Sequence, residues 1–303
     1  MSAFLQENQT DTWKTELRNG LIALITGNIQ SQQNAYWQIG SYYNYTAPAS
    51  LFKYYRGTER DLENIKANKM WYSAPCNYND VFDCEITVDE ASIFNCVLQQ
   101  LPKNTNIRAG SHAWKEIKRT INQEIKSFCS TFDAMRYSMG IACLSESDDS
   151  LLMWAHYANN HRGICVEYDL MKINTQLQFT PVPIIYSKDR VCFNVLNPDN
   201  AGNDSVELFI KSITSKSEEW SYEREWRIIR DDAACGDRWD TEKKGALLDM
   251  ICPSSIILGC ATEKELENTV RDFCKENRIP LYKMQKNPNQ YQLNKVTILD
   301  FNT

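Results

Sequence analysis

Leu17, Leu21, Leu24 and Ile25 recur at helical spacing inside a polar stretch rich in Gln, Asn and Tyr that runs over residues 1–48, and Gly27 stands where that helix should stop. Pro48 marks the boundary to the next unit. Leu51–Arg56 then reads as a strand turning at Gly57, and Asp61–Asn68 as a short helix with Leu62, Ile65 and Lys66 on one face. Met70–Ser73 is a second strand, closed by Ala74–Pro75. Asn77–Asp83 is dense in Asn and Asp, residues that make turns by bonding their own backbone. From Ile86 to Ser130 the pattern is helical, with an interruption near Pro102–Gly110.

Farther on, Ile141–Leu144 predicts a buried strand, and Ser147–Asp149 supply N-caps for a helix over Leu151–Ala158 that Gly163 would end. Ile164–Tyr168 and Val182–Tyr186 are strands, Pro198–Asp204 a loop, and Glu207–Glu218 a helix. Trp220–Ile229 and Ile256–Leu258 are further strands, before a helix at Glu263–Asn277. Tyr282–Met284 and Val296–Leu299 can pair to finish a sheet. Strands and helices mix without regular βα alternation. The expected fold class is therefore α+β, a mixed central sheet with inserted helices. The expected organisation is an N-terminal helical extension (1–48) and one α+β catalytic-type domain (49–303).

Composition narrows the class. Of 303 residues, 43% are hydrophobic and 24% charged, which sets aside low-complexity and collagen-like chains. The formal net charge of −6 removes the strongest electrostatic argument for a nucleic-acid partner. Apolar runs such as Leu21–Ile25 are too short to span a bilayer, and no basic segment followed by an apolar one opens the chain. The expectation is a cytoplasmic protein with no membrane partner. The 11 Cys include no C-x-x-C pair, so they are expected to be mostly buried, reduced apolar residues, and no metal is predicted.

Four constellations carry chemistry. In Tyr222-Glu223-Arg224-Glu225-Trp226-Arg227, strand alternation would put Glu223, Glu225 and Arg227 on one face and Tyr222, Arg224 and Trp226 on the other. Two neighbouring carboxylates suit proton transfer, and Arg227 on the same face suits a salt-bridged strand surface instead. Tyr55-Arg56-Gly57-Thr58 ends the first strand with a cation that could approach a phosphate or ribose, or simply be solvated before a turn. Ser73 ends the second strand, where a serine is equally at home as a cap. His156, within Met153-Trp154-Ala155-His156-Tyr157-Ala158, is either a general acid or base or a histidine packed among aromatics. His156 and His161 are five residues apart, which is not a metal-pair spacing on a helix. Asn79-Asp80-x-x-Asp83 does not follow the order of a calcium loop and reads as a hydrogen-bonded turn. Neither phosphate-cradle motif is present, nor a G-x-S-x-G elbow.

Read together, Leu51–Arg56, Trp71–Pro75, Asn79–Asp83, Cys143–Glu146, Met153–Ala158, His161–Gly163 and Tyr222–Arg227 resemble the bacterial domain-of-unknown-function family 2971 over roughly residues 50–260. A more distant resemblance is to ADP-ribosyltransferases, whose first strand ends in Arg or His, whose second carries Ser or Tyr, and whose late strand carries Glu. That resemblance implies an ADP-ribosyltransferase-like sheet and NAD as the substrate. It also implies that Glu225 stabilises the ribosyl cation and Glu223 orients or deprotonates the acceptor. Arg56, with Gly57, Thr58 and Arg227, would hold NAD phosphate or ribose, and Ser73 would brace the catalytic glutamate. Tyr72-Ser73-Ala74 departs from the Ser-Thr-Ser form of the two-glutamate enzymes, and His156 has no place in the scheme. Related families often serve as toxins or anti-phage effectors. The alternatives are an RNA-directed nuclease-type effector using His156, Glu225 and Arg227, and a non-enzymatic sensor that binds a partner protein through residues 1–48.

Overall fold

The computed structural model describes residues 12–102, 107–177, 180–194 and 205–301. In chain order these form α1 (Thr12–Thr26), α2 (Ile29–Tyr45), β1 (Ser50–Tyr55), α3 (Glu59–Lys66), β2 (Lys69–Ser73), β3 (Thr87–Val88), α4 (Glu90–Gln100) and α5 (His112–Tyr137). There follow β4 (Met139–Ser145), α6 (Leu151–Tyr157), β5 (Ile164–Asp169), α7 (Leu170–Leu177), β6 (Val182–Pro183), β7 (Ile185–Ser187), β8 (Cys192–Phe193), α8 (Ser205–Ile213) and β9 (Ser215–Ser217). The chain ends with β10 (Glu225–Asp231), α9 (Asp232–Cys235), β11 (Trp239–Asp240), β12 (Gly245–Asp249), β13 (Ser255–Leu258), α10 (Lys264–Asn277), β14 (Leu281–Lys286) and β15 (Leu293–Leu299). Single 3-10 turns cover Pro75–Asn77 and Glu218–Glu223. The fold is α+β around a large mixed sheet. The loop expected at Pro198–Asp204 lies outside the described residues.

Two compact units are built from interleaved segments. One contains the chain up to Ile39, Pro75–Ser138 and Ile185–Ser217. Here α1 packs on α8 and α4 on α5, and the α1–α8 side is pinned by the Arg18 guanidinium, which donates to Ser215 Oγ at 3.1 Å. Phe128 meets both Phe132 and Phe193 with centroids about 5 Å apart, burying apolar surface between α5 and β8.

The other unit holds Gly40–Ala74, Met139–Ile184 and Glu218–Thr303, and with them the eleven-stranded sheet. Its strand order is β11-β12-β2-β4-β1-β5-β13-β14-β15, with β10 paired to β4 and β6. All these pairs are antiparallel except β13–β14, whose parallel register needs a crossover, supplied by α10. The pairing expected between the last two strands is present as β14–β15. β10 lies along β4 for seven residues, Glu225 opposite Ser145 and Asp231 opposite Met139. One edge of β4 is thereby occupied. β1 and β2 share the other, β1 touching at Ser145 (Phe52) and β2 at Ile141 (Ser73). Between those two points the Lys53 ammonium reaches over to the Cys143 carbonyl at 2.8 Å. Paired residues share a sheet face, so Glu225, Arg227, Ser145, Phe52 and Tyr54 lie on the face that α6 covers. There Tyr54, Met153, Trp154, Cys165, Ile257 and Met284 form a dry core, with Trp154 edge-on to Tyr54 at 5.3 Å.

Three expectations are corrected. Trp220–Ile229 is not one strand: Glu218–Glu223 coil into a 3-10 turn, Arg224 is left-handed (φ 45°), and β10 begins only at Glu225. The cause is Glu146, whose Oε2 accepts from the Arg224 guanidinium at 2.8 Å while Oε1 accepts from the Trp226 indole at 2.7 Å, offsetting the cost of the left-handed residue. Val182–Tyr186 divides into β6 and β7 beside Pro183, which has no N–H to extend a ladder. The helix expected over Glu207–Glu218 stops at Ile213 and gives way to β9.

Candidate functional site

Arg56 leaves β1 where the chain must turn sharply. Gly57 takes φ +80°, and a Cβ there would lie 2.6 Å from Leu266 Cδ2. Thr58 is the N-cap of α3: its hydroxyl accepts from the Asp61 N–H, and the Asp61 carboxylate accepts from the Thr58 N–H. The Thr58 side chain is thus committed to the cap rather than to a ligand. Arg56 itself is exposed and borders a 590 Å3 cavity whose other wall includes Tyr157.

Tyr157 is the last residue of α6, a helix capped by Ser150, one residue beyond the Ser147–Asp149 stretch that the sequence favours. Gly163 does not end this helix. Asn159, Asn160 and His161 do, with φ of 49°, 54° and 65°, and Gly163 is required because a Cβ would fall 2.2 Å from the Tyr55 carbonyl oxygen. The Tyr157 hydroxyl donates to Glu223 Oε1 at 2.5 Å. Glu223 is only 4% exposed, and Ser145 Oγ fixes its backbone by donating to the Glu223 carbonyl at 2.6 Å. A hydrogen bond to a buried carboxylate lessens the cost of burying it.

Glu225 occupies a different environment. It is 3% exposed and held by the fully buried Arg227, whose Nε donates to Oε1 at 2.7 Å and whose Nη2 donates to Oε2 at 3.3 Å. Same-face neighbours two apart on a strand reach each other without distortion. Of the three residues expected on one strand face, Glu225 and Arg227 are there and Glu223 is in the preceding turn. The salt-bridged alternative describes Glu225 and Arg227, though as a buried pair rather than a surface one.

Ser73 does not brace Glu225. It pairs with Ile141, whereas Glu225 pairs with Ser145 on the opposite edge of the same strand. Four residues of β4 separate the two levels, about 13 Å at the rise of a strand. Ser145 holds the place near the glutamates that Ser73 was expected to fill. His156 is exposed on α6, its ring 6.4 Å from Tyr157 and 6.2 Å from Tyr222, which stands 6.0 Å from Trp220. His161 is half-buried, with its pKa lowered first by burial and then by Lys286.

In the other unit, Asp80 closes the Asn79–Asp83 turn by accepting from the Phe82 N–H at 2.9 Å, and Asp83 is buried 3.5 Å from the Lys216 ammonium. Among the described residues no group of three or more His, Cys, Asp or Glu is placed to hold a metal ion. Only Cys84, Cys165, Cys235 and Cys274 of the 11 cysteines are buried, fewer than expected; burial pushes the Cys274 thiol up to about 12. No described helix is long and apolar enough to cross a membrane.

Tyr157, Ser145 and Glu146 were missed as site residues. Each stands beside a residue that had drawn notice, and its role depends on long-range pairing that no local spacing reveals. No curated protein and no solved structure matches this chain. The segment from Met153 to Ile228, which carries Tyr157, Glu223, Glu225 and Arg227, matches the family described as protein of unknown function (DUF2971).

Proposed function

We propose that this protein consumes NAD, cleaving the bond between nicotinamide and ribose and passing ADP-ribose to water or to a macromolecular acceptor. The observation that carries the reading is the union of Arg56 and Tyr157 on one 590 Å3 cavity, with the Tyr157 hydroxyl bonded to the buried Glu223 carboxylate. That volume falls in the range of small-molecule sites. Cleavage breaks the C–N glycosidic bond, and its electron pair leaves with nicotinamide. The ribose carbon is left cationic. A fixed carboxylate nearby stabilises that charge as it develops. The acceptor then adds at the vacated carbon and gives up its proton to the carboxylate or to solvent.

In this scheme Glu223 is the catalytic carboxylate, Tyr157 positions it and Arg56 takes the phosphates, where a guanidinium makes paired hydrogen bonds. Glu225, neutralised by Arg227, holds the end of β10 in place. This moves the catalytic role from Glu225, where the resemblance implies it, to Glu223, and leaves Glu225 a structural one. The test is nicotinamide release by wild type and by Glu223→Gln, with and without lysate as a source of acceptor; absence of release by wild type in both would reject the reading. An effector role, as toxin or in anti-phage defence, would follow from depletion of NAD.

One observation favours a second reading, an RNA-directed enzyme. The exposed His156 continues a row of rings through Tyr222 to Trp220, a surface on which bases could stack. Cleavage of labelled RNA without NAD, lost in His156→Ala, would support it over the first.

A further inference from the structure

Arg56 borders a second cavity besides the one it shares with Tyr157. This space, of 680 Å3, lies between the start of α3, the turn after α6 and the first turns of α10. Arg56 and Glu59 line both cavities, so the two spaces meet along one ridge. Arg162 lines only the second, delivered there by the three left-handed residues Asn159–His161. Neither guanidinium has a hydrogen bond or ion pair among the described residues, although Glu59, Glu63, Glu263 and Glu265 line the same space.

That donor and acceptor set discriminates between ligands. Two open guanidinia, with Lys66 lining the same space, suit a pyrophosphate. Four carboxylates against Arg56, Arg162 and Lys66 disfavour a free, multiply charged phosphate more than a pyrophosphate diester with one charge per phosphate, and they can accept hydrogen bonds from the hydroxyls of a ribose, as acidic residues do in dinucleotide sites. An anionic centre flanked by sugar hydroxyls is the chemistry of a dinucleotide. We infer that the two cavities form one bipartite dinucleotide site. The pyrophosphate crosses Arg56, the nicotinamide riboside lies toward Tyr157, and the adenosine half fills the second cavity against Arg162. Arg162 is then a specificity residue for the adenylate half. The inference rests on the NAD reading and extends it to a residue outside the Arg/Ser/Glu pattern.

The experiment measures nicotinamide release from NAD and from nicotinamide mononucleotide, which lacks the adenylate half, for wild type, Arg162→Ala and Arg162→Lys. Calorimetric binding of ADP-ribose supplies a readout independent of turnover, and a thermal melt verifies folding. Loss of a charge-assisted contact should raise KM for NAD about tenfold or more in Arg162→Ala, with kcat little changed. Affinity for ADP-ribose should fall by a similar factor, Arg162→Lys should recover part of it, and KM for the mononucleotide should move far less. A folded Arg162→Ala with unchanged KM for NAD and unchanged ADP-ribose affinity overturns the bipartite site while leaving NAD consumption standing. Equal losses for NAD and the mononucleotide overturn the assignment of Arg162 to the adenylate half. Wild type that neither binds ADP-ribose nor releases nicotinamide rejects the NAD reading, and this inference with it.

Discussion

Replacing Glu225 by Gln should damage stability before it says anything about catalysis. Arg227 is fully buried, and Glu225 supplies its 2.7 Å carboxylate partner from a position only 3% exposed. An amide keeps the shape but not the charge, so the guanidinium would be left in a low-dielectric site without that counter-ion. Breaking a buried pair from one side costs about 3–5 kcal/mol, against about 0–1 kcal/mol for an exposed pair. At about 2.1 cal/mol/K of unfolding entropy per residue, each kcal/mol lowers the Tm of a 303-residue chain by roughly 1.5 °C, so the drop should be on the order of 5–8 °C. Differential scanning calorimetry measures it. Arg227→Met supplies the second single variant, and the double variant should fall well short of the sum of the two losses, because both changes break the same buried pair. A Glu225→Gln protein that melts within about 2 °C of wild type, or a double variant with additive losses, would show that Arg227 does not depend on Glu225.

Other perturbations separate the roles assigned above. Tyr157→Phe removes the hydroxyl on Glu223 but keeps the ring, and should lower kcat for nicotinamide release by about tenfold or more while Tm falls by only a few degrees; unchanged kcat would detach Tyr157 from the site. Gly163→Ala should destabilise far more than Gly57→Ala in urea denaturation, because the first meets the Tyr55 carbonyl oxygen at 2.2 Å and the second meets the movable end of Leu266 at 2.6 Å. Gly57→Ala still carries a φ of +80° and should cost about 1–2 kcal/mol; equal losses would contradict the close approach at Gly163. His161 has its folded pKa lowered by burial and Lys286, so the unfolded chain binds the proton more readily. Its contribution is present above the unfolded pKa of about 6.5 and is lost as pH falls toward the depressed folded value. His161→Gln should therefore lose less Tm than wild type between pH 7.5 and 5.5, and equal losses would contradict that environment.

Much of the sheet was legible because its strands are short apolar runs that end on strong turn residues. Met70 and Tyr72 are buried at a period of two, while β1 buries Leu51 and Tyr54 on opposite faces and β5 buries Ile164, Cys165 and Val166 in a continuous run. The polar helix α2 was less visible. Its buried positions Ala35, Ile39 and Tyr43 keep helical spacing, but Gln, Asn and Ser surround them and Ala contributes little apolar contrast. At Tyr222–Arg227 alternation gave the wrong period, because Glu146, almost eighty residues earlier, captures both Arg224 and Trp226. The same limit hid the site. Glu223 and Glu225 stand two apart in the chain, yet one is bonded to Tyr157 and the other to Arg227, a distinction set by the turn between them. Gly163 was read as a helix stop because Gly commonly serves there, whereas Asn159, Asn160 and His161 take the left-handed conformations and Gly163 answers a close backbone approach.

The decisive measurement is nicotinamide release from NAD by purified wild type, compared with Glu223→Gln at matched thermal stability. Wild type should release nicotinamide, alone or with lysate, and Glu223→Gln should lose about a hundredfold or more, the scale on which removing one stabiliser of transition-state charge is felt. Release that persists undiminished in Glu223→Gln would contradict the assignment of the carboxylate, and no release by wild type under either condition would contradict the reaction itself.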